Sequence, residues 1–256
     1  MNRDSRRTDG AAPQTPVNLD DVAIVIPALN EEGNLAVLLP LLEAMNVGQI
    51  IVCDNGSTDA TRALVEGSGA EWVYEPQRGY GAACQAGIAA LDDDVRVVAF
   101  CDADMSDDLS RLVDLVGPIQ RNEYDLVLGA RTVELREPGA TTFPQRVANV
   151  LFPMCVKLGW GHSFKDLGPF RAIGRNPLDR IGMRDRAYGW TIEMQVRAVE
   201  LGLRILEIPV AYRRRAMGRS KIGGSLTGAV RAAYCMIRTC GGLWLTKRRR
   251  VGRARP

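Results

Sequence analysis

A chain of 256 residues that is 46% hydrophobic and 25% charged has ordinary globular proportions, which exclude disordered, collagen-like and disulfide-scaffold classes. The formal charge of +3 conceals an asymmetry: residues 203–256 hold 14 Lys and Arg against one acid, Glu207, a charge of +13, whereas residues 1–202 carry −10. A basic C-terminal fifth points to a polyanionic partner, and the acidic remainder suits a divalent cation.

Residues 1–20 contain no apolar run and read as a flexible leader rather than a signal peptide. The run VAIVIP at 22–27 predicts a strand buried on both faces. Asn30 can cap a helix reaching about residue 45, with Leu35, Leu38, Leu39 and Leu42 at helical spacing. QIIVC (49–53) is a second strand, followed by DNGSTD, where Ser57 or Thr58 can cap a helix over 60–66. EWVY (71–74) is a third strand, 79–91 an alanine-rich helix, and VRVVAFC (95–101) a fourth strand ending at DAD. A helix over 109–120 and a strand over 126–128 complete the series. Such alternation predicts an α/β fold, a Rossmann-like open and mostly parallel sheet with helices on both faces and ligands at the carboxyl ends of its strands.

Beyond residue 131 the alternation loosens into a helix over 143–158, a strand-like segment over 166–174, a helix over 190–201 and a strand over 204–210. With no independent pattern there, residues 21–224 read as one domain, followed by an amphipathic helix and basic tail over 225–256. The six cysteines form no Cys-x-x-Cys pair, so reduced thiols in a cytosolic protein are expected. The single histidine, His162, rules out a multi-histidine metal site and argues against Ser-His-Asp catalysis.

Four polar segments fall after predicted strands. Asp102 and Asp104, two residues apart, would face the same way on an extended chain and suit a hard cation that also takes phosphate oxygens. They serve equally as a loop acid and a helix cap. The segments from Pro27 to Glu32 and from Asp54 to Asp59 are each readable as a plain turn. Arg78, Gly79 and the following helix N-terminus make a favourable anion site. Neither a dinucleotide fingerprint nor a Walker loop is present.

Taken together, in this order and spacing, the four segments resemble the family-2 glycosyltransferases of the GT-A fold. The resemblance covers residues 22 to about 224. It implies a nucleotide-sugar donor of the UDP-glucose or GDP-mannose class, with Pro27, Ala28, Asn30, Glu31 and Asp54 around the nucleobase and ribose. Arg78, Gly79 and Arg131 join that donor set, and Asp102 and Asp104 hold Mg²⁺ or Mn²⁺ against the diphosphate. Asn55 stands where many members carry a second Asp.

Downstream, DLGPFR (166–171), GWTIEM (189–194) and RAMGRSK (215–221) look like the dolichyl- and polyprenyl-phosphate sugar synthases. That likeness assigns Arg215, Ser220 and Lys221 to phosphates and suggests a lipid-phosphate acceptor. Asp166 and Glu193 are the carboxylates expected to orient or deprotonate the acceptor, beside Asp104 at the reacting centre. Other readings are open for both: Asp166 as the partner of Lys165 or Arg171, and Glu193 as the partner of Arg197 four residues on. Inversion at the anomeric carbon is the family expectation.

No transmembrane helix is expected, because the apolar stretch 226–245 is interrupted by Arg231 and Arg238. That segment and the tail KRRRVGRARP either rest on an anionic membrane, making the protein peripheral on the cytoplasmic face, or pack on the domain. The tail lacks any nucleic-acid recognition motif, so no nucleic-acid partner is expected. The rivals to transfer onto a lipid phosphate are a soluble or glycan acceptor, a non-catalytic nucleotide-sugar-binding scaffold, and a nucleotidyltransferase, the last disfavoured because PALNEE is not its Gly-rich loop.

Overall fold

A computed structural model describes residues 17–137, 143–215, 217 and 226–253. Its first half alternates strictly: β1 (Val22–Ala28), α1 (Glu32–Ala44), β2 (Gln49–Asp54), α2 (Thr61–Glu66), β3 (Glu71–Tyr74), α3 (Tyr80–Ala89) and β4 (Val97–Phe100). Then follow α4 (Leu112–Gln120), β5 (Leu126–Arg136), α5 (Phe143–Trp160), β6 (Arg171–Gly174), α6 (Arg175–Ile181), α7 (Trp190–Glu200), β7 (Ile205–Tyr212) and α8 (Leu226–Arg253).

Among the described residues the strands form one sheet in the order β3-β2-β1-β4-β6-β5-β7. All neighbours run parallel except β6, which is antiparallel to both β4 and β5. The expected open, mostly parallel sheet is therefore present. Strand order reverses at β1: β2 and β3 build outward on one side, and β4 lies on the other. A crevice opens at such a switch because the two connections leave in opposite directions.

Helices cover both faces. Ala23 and Val25 of β1 pack toward α3, α5 and α7, in a layer that includes Phe100, Phe152 and Trp190. Val22, Ile24 and Ile26 point the other way, onto Leu35, Leu38, Leu39 and Leu42 of α1 and Leu115 and Val116 of α4. Two-sided burial is the reason β1, β2 and β4 are continuous apolar runs rather than alternating ones.

Several boundaries differ from the sequence expectation. Leu19 is buried and its carbonyl accepts from the Val22 and Gly48 amides, so the end of the expected leader belongs to the domain. Residues 166–170 form a loop, leaving β6 only four residues long. Helix α6 was not anticipated, since Pro177 breaks the pattern; proline is tolerated in a first turn, where amides lack intrahelical partners anyway. Helix α8 extends past the basic run.

Helix α3 sits unusually close to the sheet. A Cβ on Gly87 would lie 2.5 Å from a Val25 methyl and 2.6 Å from the Cys53 sulfur. Alanine would gain about 1 kcal/mol in helix propensity, but overpacking of this kind costs about 1–3 kcal/mol. Gly87→Ala should therefore lose stability on balance, by about 1 kcal/mol, in a urea denaturation series.

Candidate active site

Strands β1, β2 and β4 point their carboxyl ends at the same edge, and a cleft of about 380 Å³ lies there. Pro27, Ala28, Leu29 and Glu31 line it from β1, and Asp102, Ala103 and Asp104 from β4. The chain turns at Ala103 and Asp104 rather than remaining extended. Both carboxylates nevertheless reach the cleft, at the switch between the two strands.

A third acid, Asp107, lies behind them. One of its oxygens accepts the Asp102 amide at 2.9 Å. Asp102 stands well above the usual carboxylate range, chiefly because its carboxylate is drawn away from water and next because it faces Asp104 and Asp107. Arg131 and the Tyr80 hydroxyl oppose that rise. Asp107 is pushed up to about 7, again mainly by burial. The donor set is hard oxygen, suited to Mg²⁺ or Mn²⁺. Among the described residues no three ligating side chains converge, so a cation held by Asp102 and Asp104 would complete its shell from substrate oxygens and water.

Arg215 lies across the mouth of this cleft. Its guanidinium donates to Asp104 at 3.2 Å and to Glu31, and its Nε donates to the Met217 carbonyl at 2.8 Å. Met217 is moored in turn to Asn34 of α1, whose Oδ1 accepts the Met217 amide at 3.1 Å. A strap descending from β7 thus places one cation between two carboxylates that follow different strands, Glu31 after β1 and Asp104 after β4. Ser220 and Lys221 lie outside the described residues.

Asp166 is buried, and both its oxygens are held by the Arg131 guanidinium, at 2.5 and 2.9 Å. The Arg131 amide adds a third bond at 3.1 Å. Its partner is thus Arg131, rather than Lys165 or Arg171. Arg131 also sits 4.8 Å over the Tyr212 ring, and Tyr212 lines the cleft. The pair therefore stands behind the cleft wall, not in it. Arg171 is buried and donates to the carbonyls of Gly168, Pro169 and Thr191, fixing the loop that carries Asp166.

Glu193 is likewise outside the cleft lining. One oxygen pairs with Arg197 at 2.8 Å, as its spacing allowed, and the other accepts the Arg184 and Asp185 amides. It fastens the 184–189 loop, from which Ala187 and Tyr188 enter the cleft.

Two other expectations need correction. The N-terminus of α3 is not an open anion site: the Gly81 amide donates to the Ala187 carbonyl and the Ala82 amide to the Arg186 carbonyl. Gly79 and Gly81 permit this approach, since a Cβ on either would fall within about 2 Å of a carbonyl oxygen of the 185–186 segment. Arg78 and Gly79 still line the cleft, with Arg78 donating to the Gly56 carbonyl. Asn30 does not cap α1. It adopts φ 51° and accepts the Thr58 amide at 2.7 Å, tying the two strand-end loops together. Asp54 is buried in its own turn, accepting from the Ser57 amide and the Trp72 indole. Neither Asn30 nor Asp54 is a lining residue.

Asn55 is. Its amide nitrogen donates to the carbonyls of Glu75 and Gln77, and its oxygen accepts the Gly79 amide. An aspartate cannot donate to those two carbonyls, which is why an amide fits here. Tyr80, Tyr188 and Tyr212 also line the cleft. Tyr212 ends a strand parallel to β5, a position that could have flagged it; nothing local marks Tyr188.

Comparison with known proteins gives a consistent picture. The family model described as glycosyl transferase family 2 matches residues 23–182. An uncharacterised glycosyltransferase of Mycobacterium tuberculosis is 36% identical over 82% of this chain and 94% of its own. A dolichyl-phosphate hexose transferase of Haloferax volcanii is 29% identical over 87% of this chain and 97% of its own. A polyprenol monophosphomannose synthase of Mycolicibacterium smegmatis is 30% identical over 84% and 86%, respectively. Among solved structures, glucosyl-3-phosphoglycerate synthase of Mycobacterium tuberculosis, crystallised with Mn²⁺, UDP and glucosyl-3-phosphoglycerate, superimposes with a TM-score of 0.68. It covers 86% of this chain and 80% of its own at 23% identity, a likeness of fold.

Two outcomes follow from the geometry. Asn55→Asp should destabilise the protein by about 1–3 kcal/mol, since it strands two carbonyls and turns a negative charge toward them; chemical denaturation measures this. Asp107 keeps its proton up to about pH 7 when folded, against an ordinary value of 3.8. Between those values the unfolded chain has released a proton that the folded one retains, so stability of the metal-free protein should fall as pH rises through that window. Denaturation midpoints across it should show the decline, and Asp107→Asn should make it shallower, with the share of Asp102 remaining.

Proposed function

The chain belongs to glycosyl transferase family 2, and we propose that it moves a hexose from a nucleotide-sugar donor to a polyprenyl phosphate with the help of Mg²⁺ or Mn²⁺. The observation that carries this reading is the meeting of Asp102, Asp104 and Arg215 at the β1/β4 switch. It is the pairing of hard oxygen ligands and a guanidinium fork that a diphosphate requires. The names of the lipid-phosphate relatives support the acceptor. Mn²⁺ and UDP in the solved relative support the metal and a UDP-linked donor, with a GDP-linked one the alternative.

In this reading Asp102 and Asp104 would hold the cation, which would supply charge stabilisation for a nucleoside diphosphate leaving group. Glu31, Pro27 and Ala28 with Arg78 and Gly79 form the donor wall. Arg215, released from Asp104, turns to phosphate oxygens, joined by Ser220 and Lys221. A lipid phosphate is already anionic at neutral pH and needs little deprotonation. Asp166 and Glu193 can then act as positioning groups, the first by holding Arg131 against Tyr212 and the second by fixing the loop that bears Tyr188. Back-side attack by the phosphate oxygen would invert the anomeric carbon.

The direct test uses purified protein with UDP-glucose, UDP-galactose, UDP-N-acetylglucosamine or GDP-mannose, Mn²⁺ or Mg²⁺, and a short polyprenyl phosphate. Metal-dependent release of one nucleoside diphosphate, raised by the lipid phosphate, is expected. Asp104→Ala should lower it by about 100-fold or more. Turnover with a soluble acceptor and none with the lipid phosphate would overturn the acceptor assignment; no donor bound at all would favour a scaffold. A second outcome isolates the strap. Because Arg215 and a cation compete for Asp104, Arg215→Ala should bind Mn²⁺ alone more tightly in a calorimetric titration while transferring sugar more slowly.

A further inference from the structure

Half of the large apolar side chains that stand exposed among the described residues lie on just two helices, α5 and α8. On α5 they are Leu151, Met154 and Leu158, spaced to share one stripe, with Leu158 at 81% exposure. On α8 Tyr234, Ile237 and Leu245 share another stripe with Gly241 between them. The opposite side of α8 is apolar too: Met236, Cys240 and Leu243 pack on the core. A surface helix normally turns polar residues outward. Between Tyr234 and Leu245, α8 offers only Arg238 and Thr239 to break an apolar circumference, and Thr239 is engaged by Asp185.

The two helices are in contact, and the end of α5 is fastened to α8 around Trp244 and Lys247. A Cβ on Gly159 would lie 3.7 Å from the Trp244 ring. Lys247 donates to the Gly159 carbonyl at 2.8 Å and lies 5.6 Å from the centre of the Trp160 ring. The most exposed leucine, Leu158, thus stands where the KRRR run of α8 begins. Helix α8 contains seven Lys and Arg and no acid, and α5 contains Arg146 and Lys157 and no acid.

We propose that the α5–α8 face is the surface by which this protein docks on an anionic lipid bilayer, its apolar stripes entering the headgroup boundary and its basic run meeting lipid phosphates. An apolar stripe with a cationic border is the pattern of an interfacial helix, and the charge is complementary to an anionic leaflet. A second copy of the chain is the poorer occupant, since a two-fold contact would set the two basic runs on one self-facing, like-charged patch. The face is also bolted to the cleft. Thr239 of α8 donates to Asp185 at 2.6 Å, and Asp185 accepts the Ala187 and Gly189 amides that bracket Tyr188 in the cleft wall. Docking through α8 therefore holds the cleft at a fixed height above the bilayer. This consequence, unlike the docking itself, rests on the lipid-phosphate acceptor proposed above.

Flotation of the full chain with vesicles tests the docking, using phosphatidylcholine with and without phosphatidylglycerol and no polyprenyl phosphate. Binding to the anionic vesicles is expected, weakening as salt is raised. Leu158→Glu combined with Leu245→Glu should reduce bound protein several-fold, and each basic residue of the run replaced by Gln should cost about fivefold in partition. Both substituted leucines are exposed, so circular dichroism and the thermal midpoint should stay unchanged, as should nucleotide release with a short, water-soluble acceptor. Failure to float with anionic vesicles, or flotation indifferent to the leucine pair, would overturn the proposal. So would a concentration-dependent dimer, or capture by a membrane protein, that the leucine pair abolishes in the absence of vesicle binding. Because the vesicles hold no acceptor, the wrong acceptor leaves this result untouched, and failure to float leaves the transfer assay untouched.

Discussion

Asp102 and Asp107, just past the end of β4, are hard to ionise, burial first and neighbouring negative charge second, and the arrangement around them answers that constraint. Asp102 and Asp107 share with Asp104 a six-residue stretch at the edge of a sheet whose interior is apolar, and for Asp102 and Asp107 burial and like charge both resist ionisation. The surroundings answer in several ways. Asp107 accepts a backbone amide, Arg131 stands nearby, the Tyr80 hydroxyl bonds Asp102, and Arg215 reaches Asp104 from across the cleft. A divalent cation would answer the same repulsion more strongly than any of these. The site is therefore held in a state in which two opposing demands coexist: enough compensation to fold, and enough residual negative charge to attract a metal.

The pair that lies behind the cleft works by a different logic. Arg131 and Asp166 are both largely withdrawn from water, and each satisfies the other through a planar, two-pronged contact. Removing one partner from such a pair leaves a buried charge alone, which costs far more than the pair contributes. With the Arg171 guanidinium caging three carbonyls of the adjoining segments, and Leu167 and Phe170 buried in the apolar layers on either side of the sheet, the loop over residues 166–170 is fixed by polar and apolar contacts together.

Much of the scaffold was legible because it rests on local patterns. Continuous apolar runs marked β1, β2 and β4, and leucines at helical spacing marked α1. The motifs at the strand ends were found because a parallel sheet gathers those ends at one edge. What sequence could not supply was the pairing of distant groups. Arg131 and Asp166 are 35 positions apart, and Arg215 and Glu31 are 184 apart. The loop contacts of Asn30 and Asp54 were hidden for a related reason. Each has the chemistry of a ligand-binding group, but a short polar side chain beside free amides satisfies its own loop first. The N-terminus of α3 misled because its amides are taken by a loop more than 100 residues away, which no local signal records.

The way that loop attaches to α3 has a consequence for how the site can change. Gly81 and Ala82 bind the Ala187 and Arg186 carbonyls through main-chain atoms, so the mooring is indifferent to which side chains the loop carries. Ala187 and Tyr188, which form the cleft wall at this point, can be exchanged without unfastening it. Anchorage and selectivity are thereby assigned to different atoms of the same residues. A lineage could retune what the wall recognises by single substitutions, with the frame inherited intact.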